Sequence, residues 1–334
     1  MSGSSMPGGD PCVYVTQGWG IHDDRWVQGL VDLGFAPTTV ALGRDVDDAA
    51  ELRSAVLAAA GVDTPVLAGP LTSVTRELID LPRRLIGMSW GYDLDEIATT
   101  EDPAPWLARL DGLVVDSWSN HEAAAGRGLS TDRICFLPWG LDLARWPFVD
   151  RSSQHVTADP VVLTLRAHEP RYRVADVITA FAAVSLPARE PRLLVGHGGS
   201  LTPTLRDLAA RLGIEQRVEF IGTVEESDLP RLLSQADCYV SAAETDGTSV
   251  TLLQAMATGT PVVVSDTAGN RGWVEEGRSG WLFPVGDVQA LSGALTDVLS
   301  DFPAVQVRAA RAQVDRDADW RANLPRLGAL LRFG

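Results

Sequence analysis

The sequence predicts an α/β protein of two domains, each a parallel sheet covered by helices on both faces. Three observations carry that prediction. The chain has 334 residues, above the roughly 100 to 200 of one domain. Short apolar runs alternate with helical segments through both halves. A polar stretch without periodicity, FVDRSSQHVTADP, separates the two series.

In the first half, CVYVTQ (12–17) reads as a strand ending in the turn Gly18-Trp19-Gly20, after which Asp24 to Leu33 suits a helix. Further strands are expected at TTVAL (38–42), PVLAG (65–69), RLIGMS (84–89), GLVVDS (112–117) and RICFLP (133–138), with a helix from Asp47 to Ala60. The second half repeats the pattern. Strands are expected at VVLTL (161–165), RLLVG (192–196), VEFIG (218–222), CYVSA (238–242) and PVVVS (261–265). Helices fall at Val174 to Val184, Thr204 to Leu212, Ser227 to Gln235, Ser249 to Thr258 and Val288 to Ser300. The domain plan is therefore residues 1–150, a linker at 151–160, residues 161–305, and a helical segment at 306–334.

Apolar residues make up 45% of the chain and charged residues 22%, enough for two buried cores and against disorder. The 44 acids against 28 bases give a net charge of −16, which repels nucleic acid and anionic lipid surfaces alike. There is no lysine, so all 28 bases are arginine. That excludes a P-loop lysine, a Schiff base and a pyridoxal-phosphate anchor, and leaves any anion to arginine or backbone amides. With abundant alanine, it points to a GC-rich bacterial coding sequence. Cys12, Cys135 and Cys238 are few and widely spaced, giving neither a disulfide framework nor a zinc site. The first residues lack a leader pattern and no run reaches the ~18 apolar residues of a membrane span. A soluble cytoplasmic protein, monomer or homodimer, is expected.

The densest chemical signal is ETDGTSVTLLQAMATGTPVVVSD, residues 244–266. A loop containing Glu244, Asp246, Gly247 and Thr248 runs into a helix near Ser249 and Val250, whose first-turn amides and positive dipole end suit a phosphate. An ordinary helix capped by Thr248 or Ser249 is the plainer alternative. The segment resembles the nucleotide-sugar signature of the retaining group 1 glycosyltransferases (glycosyltransferase family four, GT-B fold). Trp139-Gly140-Leu141-Asp142, the loop Arg166-Ala167-His168-Glu169-Pro170-Arg171-Tyr172, Ser265-Asp266 with Asn270-Arg271, Gly280-Trp281-Leu282-Phe283-Pro284 and Trp320 resemble other family segments. The phosphate loop is a variant, with Glu-Pro-x-Tyr in place of the commoner Lys-Gly.

The resemblance implies two Rossmann-like doubly wound domains facing across a cleft, with donor on the later domain and acceptor on the earlier. It implies transfer of a sugar with retention of anomeric configuration, no metal, and no cofactor beyond a nucleoside diphosphate sugar, UDP-sugar favoured over GDP-sugar. Arg166 and Arg171 match the phosphate-binding cations, with Arg173 a further one; a solvated basic turn is the plainer alternative. The family's paired glutamates, eight positions apart, are Asp246 and Gln254 here, so Asp246 is the expected catalytic acid, with Glu244 in reserve. Gln254 keeps hydrogen bonding to ribose without charge. Gly198, in His197-Gly198-Gly199, borders the nucleotide.

On the acceptor side, Gly18, Trp19, Gly20, His22, Trp90, Asp93 and Trp139 lie at predicted strand ends, where ligands of parallel sheets bind. Trp90 stands where many relatives have histidine. Residues 1–150 carry 10 arginines and 22 acids, net −12, with seven of the ten tryptophans. This favours a small neutral or amine-bearing acceptor; a solubilising surface over buried tryptophans is the plainer alternative. The pairs Asp45/Asp47, Asp93/Asp95 and Asp315/Asp317 are chance spacings in an acidic chain, so no metal site is expected. A nucleotide-sugar hydrolase or epimerase, and a non-catalytic binding subunit, remain as alternatives to transfer.

Overall fold

The computed structural model describes residues 8–90, 93–94, 97, 105–138, 140–151 and 159–333. The chain divides into two compact units, 1–138 with 321–334, and 139–320.

The first unit holds a six-stranded parallel sheet in the order β2-β1-β3-β4-β5-β6. Its strands are β1 Asp10–Thr16, β2 Phe35–Ala41, β3 Val66–Gly69, β4 Leu85–Met88, β5 Gly112–Val115 and β6 Ile134–Phe136. Val13, Val15, Val66, Ala68, Leu113 and Val115 lie in one core with Leu52, Val56 and Leu78 from the covering helices. Burial on both faces is why these strands read as continuous apolar runs rather than alternations. Helices Ile21–Asp32 and Ala49–Ala59 occupy the expected segments; Asp48 caps the second through the amide of Glu51.

Helix Pro325–Phe333 belongs to this unit. Arg84 donates to the carbonyls of Leu330 and Leu331, while Arg332 pairs with Asp10 at 3.0 Å and donates to Leu33 O at 2.8 Å. These bonds cap the carbonyl end of the last helix and tie it to β1 and β4.

The second unit holds another six-stranded parallel sheet, β12-β11-β10-β7-β8-β9. Its strands are β7 Val161–Thr164, β8 Arg192–Gly196, β9 Val218–Gly222, β10 Cys238–Ser241, β11 Val262–Ser265 and β12 Trp281–Phe283. From β7 the chain winds outward to β8 and β9, then crosses to the other side of β7 for β10 to β12. The strand order therefore reverses between β7 and β10, the crevice where ligands of open α/β sheets bind.

The units divide at Pro138 rather than at residue 150, because residues 140–149 pack into the second unit. Leu141 exchanges backbone hydrogen bonds with Ala318 (2.7 Å) and Trp320 (2.9 Å), and Leu141 and Trp146 lie in the core beside helix Val250–Thr258. Helix Ala304–Asp317 also stays with this unit. Of the linker placed at 151–160, residues 152–158 lie outside the described residues. Among the described residues no helix is long and apolar enough to cross a membrane.

Candidate functional site

The crevice between β7 and β10 brings together residues far apart in sequence. Arg166 leaves the end of β7 and points at the loop after β10. Its Nη2 donates to Asp246 Oδ2 at 2.5 Å and its Nη1 to Ser249 Oγ at 3.0 Å. The guanidinium also stacks on the Tyr172 ring, 4.5 Å from its centroid. Arg166 is only 9% exposed, and among the described residues its Nε finds no hydrogen-bond partner. Burial alone would lower its pKa; neighbouring Tyr239, Asp246 and Tyr172 outweigh that and hold it above the usual guanidinium value. The phenol of Tyr239 is pushed up by burial in its turn.

Through one N–H of each outer nitrogen Arg166 holds Asp246 and Ser249 and so braces the loop; a guanidinium carries five N–H donors, so these two bonds do not exclude the anion contact expected of it. Arg171 is exposed and lies over the same Tyr172 ring, at 4.8 Å, so one aromatic ring contacts two cations. Arg173, in the left-handed region at φ 48, pairs with Asp176 at 2.7 Å and reaches Glu244 at 3.6 Å. The backbone adds a further tie, Glu244 N to Arg171 O at 3.0 Å.

Helix Val250–Thr258 opens directly above this cluster. Ser249 caps it by accepting from Leu252 N, and Gly259 closes it at φ 85, which permits the bond from Thr260 N to Ala255 O. Val250 is half-buried, Gln254 is buried on the same helix, and Gly247 and Thr248 are half-buried in the loop. Thr248 accepts from Trp273 Nε1 at 3.4 Å. Gly269 was not foreseen. A Cβ there would lie 2.0 Å from Gly247 O and 2.1 Å from Asp246 O, so the loop rests on a residue without a side chain.

The loop after β8 is joined to the loop after β7 by Glu169, which accepts from Ser200 N (2.8 Å) and Ser200 Oγ (2.7 Å). Gly198 meets no crowding, whereas Gly199 packs against Glu169 and His168. His168 is fully buried. Its Nε2 donates to Gly196 O at 3.1 Å, which leaves Nδ1 as acceptor, 2.7 Å from Thr202 Oγ1. It is a staple between the two loops, and burial lowers its pKa below the usual 6.5. Unfolded chains take up this proton first, so its contribution to stability is intact above the unfolded pKa and is lost as pH falls through the folded one. Going from about pH 7.5 to about pH 5.5, the urea midpoint of the wild type should fall more than that of His168→Gln; equal falls would remove His168 from this role.

In the first unit, the strand-end residues also gather, with different roles from those expected. Asp93 is 1% exposed and accepts from Leu71 N, Ser89 Oγ, Trp90 N and Leu94 N at 2.6 to 3.0 Å. It shapes the loop after β4 rather than presenting a carboxylate, and burial raises its pKa against those four donors. His22 and Trp90 meet edge to face at 6.2 Å. The Trp90 indole nitrogen is buried, with no partner among the described residues. Gly18 adopts φ 87, and Gly20 N donates to Asp23 Oδ2 at 2.7 Å; Asp23 in turn accepts from Tyr14 OH at 2.8 Å. Trp19 lies under the Arg44 guanidinium at 3.9 Å. Trp139 and Asp95 lie outside the described residues. Asp45 binds Arg44, Asp315 binds Arg311 and Asp317 binds Arg316. Among the described residues no three metal-ligating side chains cluster.

A family model described as glycosyl transferases group 1 matches residues 147–313, half of the chain. Glycogen synthase of Mycobacterium tuberculosis (strain H37Rv) is 30% identical over 220 residues, 65% of this chain and 53% of that protein. Phosphatidyl-myo-inositol mannosyltransferase of Mycobacterium leprae is 34% identical over 230 residues, 65% of this chain and 57% of that one. The chain thus spans about half the length of the curated relatives it matches. Among solved structures, Anabaena HepE in complex with UDP superposes with a TM-score of 0.77 at 16% identity, covering 96% of this chain and 99% of that one. That likeness identifies the two doubly wound sheets as a GT-B fold.

Proposed function

Because the chain belongs to the group 1 glycosyl transferases, we propose that it moves a sugar from a nucleoside diphosphate donor to a small neutral or amine-bearing acceptor, with retention of configuration and without a metal. UDP-sugar is the preferred donor; a solved neighbour of the same fold binds UDP. The observation that carries the proposal is the convergence at the β7/β10 crevice of three guanidinium groups, the carboxylates of Asp246 and Glu244 and the amino end of a helix.

Breaking the bond between the anomeric carbon and the diphosphate oxygen puts negative charge on the leaving group. Exposed Arg171 and half-buried Arg173, with the first-turn amides of helix Val250–Thr258, are suited to that charge. The acceptor hydroxyl attacks the anomeric carbon from the leaving group's side, and its proton passes to the departing phosphate oxygen, so no separate base is needed. Asp246, held by Arg166, accepts from a sugar hydroxyl, and Gln254 serves the ribose. The excess of acids in residues 1–150, 22 against 10 arginines, supports a neutral or amine-bearing acceptor over an anionic one.

The test is incubation with labelled UDP- and GDP-sugars, with and without amino-sugar acceptors. Acceptor-dependent product is expected. Acceptor-independent release of sugar would make the protein a hydrolase or epimerase, and binding without turnover a non-catalytic subunit. Tyr172 supplies a second check, since it holds both Arg166 and Arg171. Tyr172→Leu should raise the donor dissociation constant roughly fivefold or more, while Tyr172→Phe keeps it; equal affinities in all three proteins would show that the ring positions nothing.

A further inference from the structure

The first unit carries an aromatic surface that the transfer site does not use. Trp118 is 56% exposed, the one aromatic among the exposed large hydrophobic side chains of the described residues. It begins helix Trp118–Gly126, three residues beyond β5, and Ser117 caps that helix through Asn120 N at 3.2 Å. Edge strand β6 pairs Phe136 with Val115 of β5, which brings the Phe136 ring beneath the indole. The two rings stack at 4.4 Å and 21°, and His121 meets the indole edge at 5.4 Å and 62°. One indole face is thus covered and its edge is fixed, so the exposure belongs to the opposite face.

We propose that Trp118 is the floor of a carbohydrate subsite that takes one pyranose ring of an oligosaccharide. A pyranose offers an apolar face of C–H groups to a ring and hydroxyls to whatever surrounds it. The polar groups beside the indole that reach the surface are half-buried Asp116, Ser119 and His121; buried Ser117 and Asn120 hold two of them in place, the Ser117 and Ser119 hydroxyls standing 3.1 Å apart and Asn120 donating to Asp116 at 2.9 Å. A protein partner would call for a contiguous apolar patch of several hundred Å². The other exposed large hydrophobics are Leu57, Val62, Leu212, Val285 and Val305, none of them on this helix or on β6. A ring already immobilised by Phe136 and His121 loses little freedom on binding, which favours even a weak ligand. The site lies at the carboxyl end of the sheet, the side on which ligands of parallel sheets bind. It goes beyond the transfer reaction and does not depend on it.

The test uses the full chain labelled with ¹⁵N in its indole groups and titrated with maltoheptaose and with cellopentaose. The signal absent from Trp118→Phe should shift with at least one of the two. Trp118→Ala should weaken that binding about five- to tenfold; because it also removes the stack on Phe136, affinity is read well below the thermal midpoint of the variant. Three outcomes overturn the proposal: no response of that signal to either sugar, unchanged affinity in Trp118→Ala, or a concentration-dependent sedimentation increase that Trp118→Ala abolishes. The last would assign the surface to a second copy of the chain.

Discussion

Arg166→Ala is expected to lower transfer by at least about a hundred- to a thousandfold, the range set by loss of one group that organises transition-state charge. The reason is indirect. Removing the guanidinium leaves Asp246 and Ser249 without the partner that fixes them, at 2.5 and 3.0 Å. Because the pair is largely buried, its loss costs about 3–5 kcal/mol of stability as well, so turnover must be measured on material shown to be folded. Arg166→Lys separates the two effects. It keeps the charge but not the fork that reaches two partners at once, and should fold while recovering little activity. A cycle with Asp246→Ala completes the test: two residues acting through one ion pair give effects that do not add. Full additivity, or wild-type turnover in Arg166→Ala, would refute the role.

Gly269→Ala is expected to abolish donor binding at concentrations that saturate the wild type. The added methyl group would stand 2.0 and 2.1 Å from two carbonyl oxygens of the Asp246-Gly247 loop. Contacts of that kind need more than an ångström of relief, and neither atom ends a flexible side chain. Moving the loop pulls Asp246 from Arg166 and disturbs the cap at Ser249; overpacking of this kind costs about 1–3 kcal/mol. Calorimetric titration with UDP, beside a thermal melt, reads both consequences. Undiminished UDP affinity in Gly269→Ala would mean that the loop's position does not matter to the donor.

Much of the fold was legible because it rests on local pattern. Runs such as CYVSA and PVVVS are largely apolar because central parallel strands are buried on two faces, and β10 and β11 fall within the expected residues. The helix after Ser249 was legible for the same reason, since its serine cap and terminal glycine are sequence-local devices. Strand β12, Trp281–Phe283, is not legible as a strand, for three residues carry too little pattern to separate a strand from a loop.

The amino-acid sequence by itself determined the alternation that builds two parallel sheets, the absence of lysine, and the residue types available at the crevice. Only the tertiary structure decided which of them meet. Arg166 and Asp246 are 80 residues apart, and nothing local distinguishes an arginine that faces solvent from one buried beneath a tyrosine. Asp93 likewise reads as a strand-end acid until four donors are seen to converge on it. Gly269 is an ordinary helical glycine until the loop that leans on it is placed. Pattern along the chain encodes burial and periodicity, whereas the partner of a polar group is fixed by strand order, which brings the ends of β7 and β10 together.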